Sequence, residues 1–115
     1  MASQRRPPSV PRPTPKTAYR VIAKSDRVLA DWEEMLRTRV AAATACWDHI
    51  ARTPLTPVGS RYTRLKGSLA TCEFQGEHLP QWQWEIDRRA RVKVGVGRDF
   101  VVIVDASMGH PKENE

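Results

Sequence analysis

The spacing of apolar residues changes along the chain, and the change separates a helical part from a strand-rich part. Residues 19–23 (YRVIA) form a short β-type run that predicts a first strand. Over residues 25–51 the apolar residues recur three and four positions apart, which is the period of a helix with one buried face. They form two stripes, Val28, Leu29, Trp32, Met35 and Leu36 and then Val40, Ala43, Trp47, Ile50 and Ala51. The stripes predict two helices joined near residues 37–39, the first of them capped by Ser25.

Beyond the Pro- and Gly-containing segment 53–59 the pattern becomes that of β-strands. Residues 69–74 form one candidate strand, and residues 81–86 and 91–96 alternate between apolar and polar positions, as strands with one buried face do. Residues 100–104 are apolar at every position, which is typical of a central strand covered on both faces. The order β-α-α-β-β-β predicts an α+β fold, in which an antiparallel sheet packs on a helical hairpin. We expect the core to include the four tryptophans, which all fall on apolar stripes: Trp32, Trp47, Trp82 and Trp84.

The polar positions of the predicted strand hairpin fall together on the face turned away from the helices. That face displays Gln83, Glu85, Arg91 and Lys93, which should be cross-strand or diagonal neighbours. A plainer interpretation is open for each of them. Glu85 and Arg91 can form an exposed ion pair, and Lys93 can be a solvated charge that protects an edge strand. The spacing alone does not decide between a site and a solvated surface.

The closing segment 109–112 (GHPK) can place an imidazole and an ammonium group at the end of the same face. His110 has the one side chain here whose ordinary pKa suits proton transfer near neutrality, although a surface histidine in the C-terminal segment is the alternative. Arg61, Arg64 and Lys66 enter from the loop before the second predicted strand. Such a set suits RNA cleavage without a metal. A 2′-hydroxyl attacks the adjacent phosphate, one group removes its proton, another protonates the leaving 5′-oxygen, and arginines stabilise the phosphate charge.

Length and charge narrow the choice of partners. The 115 residues have room for one domain, and 19 Lys and Arg against 13 Asp and Glu give a net charge of +6. Residues 1–16 contain five of the nine prolines and four basic residues without an acid. We therefore expect a disordered tail there and a single folded domain over residues 17–115. The excess of positive charge makes a nucleic-acid backbone or an acidic protein the natural partner.

Several other classes of protein and site are disfavoured. No apolar run approaches the roughly 20 residues that a transmembrane helix needs, and no apolar segment follows the basic N-terminus as in a secretory signal. We therefore expect a cytoplasmic protein, without a membrane partner, whose Cys46 and Cys72 are reduced. Cys46 and His49 lie one helical turn apart, but two ligands do not make a zinc site. No metal and no cofactor is expected.

Four segments of the sequence carry a family resemblance. They are residues 65–71 (LKGSLAT), 79–86 (LPQWQWEI), 90–92 (ARV) and 109–112 (GHPK). Together they resemble the RelE/ParE superfamily of type II toxins, most closely the actinobacterial RelE-like mRNA interferases, which tend to end in His-Pro-Lys. The resemblance implies a small, metal-independent endoribonuclease that enters the ribosomal A site and cuts messenger RNA during translation. It also implies a cognate antitoxin protein that wraps and blocks the toxin.

The resemblance also suggests roles for individual residues. Arg91 matches the strand arginine that contacts the scissile phosphate, and His110 falls in the C-terminal segment that supplies further acid–base or basic residues. The chain departs from the family at Trp84 and Glu85, where many members carry paired lysines. Glu85 and His110 are therefore both candidates for the general base, and the departure allows a toxin of weak activity. The residues expected to bind the RNA backbone are Arg61, Lys66, Arg88, Lys93 and Lys112.

Two other functions stay open. A ParE-like member would poison DNA gyrase by protein binding and would cut no RNA, so that His110 would be dispensable for toxicity. A non-catalytic RNA- or ribosome-binding protein would bind with a strong salt dependence and leave RNA intact. The basic C-terminal face and His110 favour the nuclease.

Overall fold

The computed structural model of the protein describes residues 18–109 and Pro8. Within this part the chain forms two helices and six strands. In chain order these are β1 (Arg20–Ala23), α1 (Asp26–Thr38), α2 (Val40–Arg52), β2 (Tyr62–Arg64), β3 (Thr71–Phe74), β4 (Glu77–Glu85), β5 (Arg91–Val96) and β6 (Phe100–Ser107). Neither of these helices is long and apolar enough to cross a membrane. The predicted tail over residues 1–16 lies outside the described residues, apart from Pro8, which is exposed.

The described strands form one sheet in the order β1-β6-β5-β4-β2, with β3 paired to β4. The predicted α+β fold, with a sheet packed on a helical hairpin, is confirmed. One difference is that the sheet is mixed, because β1 runs parallel to β6 at one edge while the other described pairings are antiparallel. Parallel neighbours need a long crossover connection. The chain between β1 and β6 supplies it, since both helices and four strands lie between them.

The two helices are separated by a single residue. Ser25 caps α1 as predicted, since its hydroxyl oxygen accepts a hydrogen bond from the Val28 amide at 3.2 Å, and Asp26 lies in the first turn, where the helix dipole favours an acid. Helix α1 ends at Thr38, the backbone of Arg39 leaves the helical region (φ −136°, ψ 57°), and α2 begins at Val40. The predicted joint is therefore confirmed, although neither Gly nor Pro marks it.

The core lies between the helices and the sheet. From the helices it receives Val28, Trp32, Met35, Ala43, Cys46 and Ile50, and from the strands Tyr62, Trp82, Trp84, Val92, Val94, Val96, Val101, Ile103 and Ala106. Three of the four tryptophans are buried as predicted. The prediction for Trp47 is wrong, because its side chain is 44% exposed. The buried positions of α2 are Ala43, Cys46, Ile50 and Ala51, so that Cys46 rather than Trp47 completes the buried stripe.

Strand β2 was not predicted from the sequence, and one aromatic residue holds it in the sheet. Tyr62 pairs with Trp84 of β4, and its ring stacks on Trp82 at a centroid distance of 4.9 Å. The Tyr62 hydroxyl donates a hydrogen bond of 2.7 Å to the carbonyl of Pro54, and burial raises the pKa of this hydroxyl well above its usual value. A segment of three residues is therefore fixed by a single buried ring.

The hairpin of β3 and β4 folds across part of the other side of the sheet. Gly95 of β5 makes this possible, since a Cβ atom there would lie 2.6 Å from the sulfur of Cys72 and 3.3 Å from Cβ of Leu79. Phe74 at the hairpin tip lies 5.9 Å, centroid to centroid, from Phe100 of β6. The predicted strand over residues 69–74 is shorter than expected, because residues 67–69 form a turn of 3₁₀ helix. The hairpin leaves the other half of this side of the sheet open.

Candidate functional site

The open half of the sheet carries two rows of polar residues. In the first row Gln83 of β4 pairs with Lys93 of β5, and Lys93 pairs with Asp105 of β6. In the second row Glu85 pairs with Arg91, and Arg91 pairs with Ser107. The predicted cross-strand arrangement of the hairpin residues is confirmed. We call the six residues of the two rows the polar face: Gln83, Glu85, Arg91, Lys93, Asp105 and Ser107.

A β-bulge decides which β6 residues belong to the polar face. Val94 pairs with Ile103 but Lys93 pairs with Asp105, so that Val104 is an extra residue in β6. Without the bulge Lys93 would face Val104, and the later β6 side chains would exchange faces. The sequence pattern that predicted the strand did not indicate Asp105 and Ser107, because its apolar run ends at residue 104. The signal was present, since residues 105–107 (DAS) continue the strand with a polar–apolar–polar alternation.

Arg91 lies at the centre of the second row and is held mainly by backbone carbonyls. Its Nη1 atom donates hydrogen bonds to the carbonyl oxygens of Asp87 at 2.5 Å and of Ala90 at 3.2 Å. Its Nη2 atom lies 3.9 Å from a carboxylate oxygen of Glu85, and 31% of the Arg91 side chain is exposed. At this distance the pair is an ion pair without a hydrogen bond, so the guanidinium group keeps donors for an incoming anion.

The turn between β4 and β5 is organised by the carboxylate of Asp87. One carboxylate oxygen accepts hydrogen bonds from the backbone amides of Arg89 at 2.8 Å and Ala90 at 2.7 Å. The other accepts a hydrogen bond of 2.6 Å from Nε of Arg39, at the joint of the helices. These bonds favour the charged form, and they lower the pKa of the Asp87 carboxyl well below its usual range. The Asp87 carboxylate therefore holds residues 87–90 as the turn of the predicted strand hairpin.

Comparison with solved structures identifies the fold. No protein-family model matches the sequence, and no curated protein is similar enough to count as a relative. The YoeB–YefM complex from Staphylococcus aureus is 15% identical over 77% of this chain and 94% of the other, with a TM-score of 0.56. The YoeB dimer from the same organism is 15% identical over 78% and 95%, with a TM-score of 0.58. A YoeB/ParE toxin from Agrobacterium tumefaciens is 19% identical over 76% and 94%, with a TM-score of 0.54.

The chain has the RelE/YoeB toxin fold. The predicted resemblance to the RelE/ParE superfamily is therefore confirmed at the level of fold. The closer resemblance to the actinobacterial branch stays a prediction. At 15–19% identity the likeness does not carry over any residue role, so roles rest on the geometry of this chain.

The basic residues predicted to bind RNA are spread over the toxin fold. Lys93 lies on the polar face, and Arg88 is exposed in the turn between β4 and β5. Arg61 borders the same end of the sheet, because its carbonyl accepts a hydrogen bond of 2.7 Å from the Glu85 amide. Lys66 follows Leu65, whose amide donates a hydrogen bond to the carbonyl of Gln81. Gln81 is four residues from Glu85, or about 13 Å along β4. Because Glu85 pairs with Arg91, Lys66 lies apart from Arg91.

His110 and Lys112 lie outside the described residues, so their predicted roles stay untested. The residue before them, Gly109, lies against the turn between β4 and β5. It has a φ of +74°, and a Cβ atom there would come within 2.5 Å of both Cβ and the carbonyl oxygen of Arg89. The Gly109 amide donates a hydrogen bond of 3.1 Å to the Ser107 hydroxyl. Only glycine fits this approach, so the last described residue of the chain is fixed beside the polar face.

The cysteines and the helical histidine do not contribute to the polar face. Burial raises the pKa of the Cys46 thiol to about 12, which makes it inert as a nucleophile at neutral pH. The His49 ring is engaged on both sides, by the Thr56 carbonyl at 2.8 Å and by the Thr53 hydroxyl at 3.2 Å. Among residues 18–109 no group of three His, Cys, Asp or Glu side chains could hold a metal ion. The polar face itself offers guanidinium, ammonium, carboxylate, amide and hydroxyl groups.

Proposed function

We propose that this protein is the toxin of a type II toxin–antitoxin pair and a ribosome-dependent endoribonuclease that cleaves messenger RNA without a metal. The observation that carries the proposal is the setting of Arg91. A partly exposed guanidinium group, flanked by Glu85 and Lys93 on an open strand face, is suited to binding a phosphate beside a carboxylate. The RelE/YoeB fold supports the same reaction class by analogy.

In the proposed reaction the 2′-hydroxyl of one nucleotide attacks the adjacent phosphate, and the bond to the 5′-oxygen of the next nucleotide breaks. Arg91 stabilises the negative charge that develops on the phosphate oxygens, and Lys93, in the neighbouring row, adds a second positive charge. A base removes the proton of the 2′-hydroxyl, and an acid returns a proton to the leaving oxygen. Glu85 and His110 are the candidates for these two roles.

The proposed partners are messenger RNA in the ribosomal A site, the ribosome itself and a cognate antitoxin, in the cytoplasm. The net charge of +6 supports a polyanionic target. Phosphates of the messenger or of ribosomal RNA would be bound by Arg61, Lys66, Arg88, Lys93 and Lys112. The YoeB–YefM complex supports a protein partner by analogy, because it is a neighbour in fold solved together with a second protein.

Primer extension on a messenger RNA in a cell-free translation reaction tests the proposal. Wild-type protein should produce discrete cuts that require translating ribosomes, and Arg91→Ala should reduce cleavage by orders of magnitude with an unchanged fold. Arg52→Ala is a matched control, because it removes an exposed arginine from the last turn of α2, on the helical side of the sheet. Full activity of Arg91→Ala would refute its role. Intact RNA with wild-type protein would refute the nuclease, and salt-dependent ribosome binding would then indicate a non-catalytic binder.

A ParE-like gyrase poison is the second candidate, and the helical surface supports it. An open groove of about 270 Å³ between the helices is lined by Trp32, Leu36, Thr44 and Trp47. Leu36 and Trp47 remain 37% and 44% exposed beside each other in this groove, which gives a protein partner an apolar surface to contact. A gyrase supercoiling assay separates the candidates. Inhibition that survives Arg91→Ala and is lost in Trp47→Ala would favour gyrase as the target.

A further inference from the structure

The joint between the two helices contacts the turn that precedes Arg91. Arg39 donates a hydrogen bond of 2.6 Å from Nε to Asp87, 48 positions further along the chain. Its Nη1 atom also approaches the Thr38 hydroxyl at 3.3 Å and the sulfur of Met108 at 3.9 Å. One guanidinium group therefore joins the helical layer, the turn between β4 and β5, and the end of β6.

The other described ion pairs of α1 are local. Arg27 pairs with Asp31 at 3.9 Å, one turn away, and Arg37 pairs with Glu34, three positions away. Such pairs support a helix and reach nothing else. The Arg39–Asp87 pair instead connects two layers of the fold, and both of its side chains are partly screened from water, at 32% and 43% exposure.

Asp87 connects Arg39 to Arg91 through hydrogen bonds of its side chain and its backbone carbonyl. Its side chain accepts from Arg39 and from two amides of the turn, and its own carbonyl oxygen accepts the shortest hydrogen bond of Arg91, at 2.5 Å. The second acceptor of Arg91 is the carbonyl of Ala90, in the same turn. Glu85, at 3.9 Å, makes no hydrogen bond to it. The direction of the Arg91 guanidinium is therefore set by the turn.

We propose that Arg39 is a positioning residue for the cleavage reaction. Arg39 fixes the turn that contains Asp87, and this turn holds the Arg91 guanidinium group where it contacts the scissile phosphate. The role rests on the proposed nuclease function. Ala90 is fully buried and anchors the turn from the core side, so losing Arg39 should loosen the turn without unfolding it. Lysine cannot replace Arg39 fully, because only a guanidinium group can donate to Asp87 and Thr38 from two nitrogens at fixed geometry.

Four single variants of the full chain test the role. Arg39→Met removes the charge and keeps an apolar stem. Asp87→Asn keeps an acceptor for the two turn amides but removes the charged partner of Arg39. Arg39→Lys keeps the charge, and Arg37→Met is the control that breaks only a local pair. We expect Arg39→Met and Asp87→Asn each to slow single-turnover cleavage of ribosome-bound messenger RNA about tenfold or more, because a misplacement of about 1 Å can cost a hundredfold.

Ribosome binding should change no more in these two variants than in Arg37→Met, both variants should stay folded at the assay temperature, and Arg39→Lys should recover part of the rate. The double variants decide between positioning and plain stabilisation. Arg39→Met should add no loss to Asp87→Asn, and none to Arg91→Ala, since all act through one guanidinium group. Equal losses in the wild-type and Arg91→Ala backgrounds, or a loss that follows ribosome binding, would overturn the role.

A readout without RNA separates this role from the proposed function. Nitrogen-15 NMR of the arginine side chains reports how fast the Arg91 guanidinium rotates. Rotation should be slow in the wild type and in Arg37→Met, and faster in Arg39→Met and Asp87→Asn. If the wild type cuts no RNA, the proposed function fails, while slow and Arg39-dependent rotation would still establish that Arg39 holds Arg91. Rotation unaffected by Arg39→Met would overturn the positioning itself.

Discussion

Gly95→Ala should destabilise the protein by pushing the β3–β4 hairpin away from the sheet. The added Cβ atom would lie 2.6 Å from the sulfur of Cys72 and 3.3 Å from Leu79. Ordinary contact needs about 3.5–4.0 Å, so the Cys72 sulfur must move by about 1 Å and Leu79, with the hairpin that carries it, by a few tenths of an ångström. Overpacking of this kind lowers the free energy of unfolding by about 1–3 kcal/mol. Alanine offsets about 0.5–1 kcal/mol of this loss, because its unfolded chain has less conformational entropy than that of glycine. The expected net loss is about 1–2 kcal/mol, or about 5–15 °C in melting temperature for a domain of this size.

The assay is thermal and urea unfolding followed by circular dichroism, with Cys72→Ala as the matched partner. Cys72→Ala removes the sulfur atom that the new methyl group would meet. The double variant should therefore recover most of the loss, with a coupling energy of about 1 kcal/mol between the two sites. Additive losses, or a Gly95→Ala protein as stable as the wild type, would refute the close approach of the hairpin to β5.

Three further predictions concern the tail, the acid–base residues and the turn. Deleting residues 1–16 should leave the melting temperature nearly unchanged, and a large drop would show that the tail packs on the domain. His110→Gln should flatten the pH dependence of cleavage near neutrality, and an unchanged profile would move the acid–base role to Glu85. Because the pKa of Asp87 is lowered in the folded protein, its ionisation stabilises the fold above its ordinary pKa of about 4 and ceases to do so as the pH falls further. The stability difference between wild type and Asp87→Asn, measured by urea unfolding, should therefore shrink below about pH 4, and a constant difference would contradict the bonding of its carboxylate.

The sequence pattern predicted those elements that contain several apolar residues at a fixed period. Strand β5 was predicted with its observed bounds, 91–96, because three valines alternate along it. Strand β2 was not predicted, because it has three residues and only Tyr62 among them is apolar. Its place in the sheet depends on contacts with Trp82 and Pro54, which are distant in sequence. Tertiary contacts of this kind have no local pattern.

Trp47 illustrates a different limit of periodicity. The sequence of α2 allows two helical stripes. One consists of positions 40, 43, 47, 50 and 51, and the other contains positions 43, 46 and 50. Hydrophobicity alone favours the stripe that contains tryptophan. The structure buries Cys46 instead, on the face turned towards the sheet. Free cysteine is among the most buried residue types, and this signal could have indicated the correct face.

The hairpin residues of the polar face were predicted, but its β6 residues and the contact that Arg39 makes with the turn were not. Glu85, Arg91, Gln83 and Lys93 follow from alternation across one turn, so their register is local. The β6 residues depend on the bulge at Val104, which shifts the register of every later residue. The Arg39 contact joins residues 48 positions apart, and nothing in the sequence near either residue indicates it.

The change of pattern within β6 marks the edge of the candidate site. Residues 100–104 are apolar at every position because the strand is covered twice, by the helices on one side and by the β3–β4 hairpin on the other. Val102, which pairs with Gly95, is fully buried there. From residue 105 onwards the hairpin no longer covers the sheet, and polar residues alternate with Ala106, which stays in the core. The position at which β6 stops being apolar on both faces is therefore the position at which the sheet becomes available to a ligand.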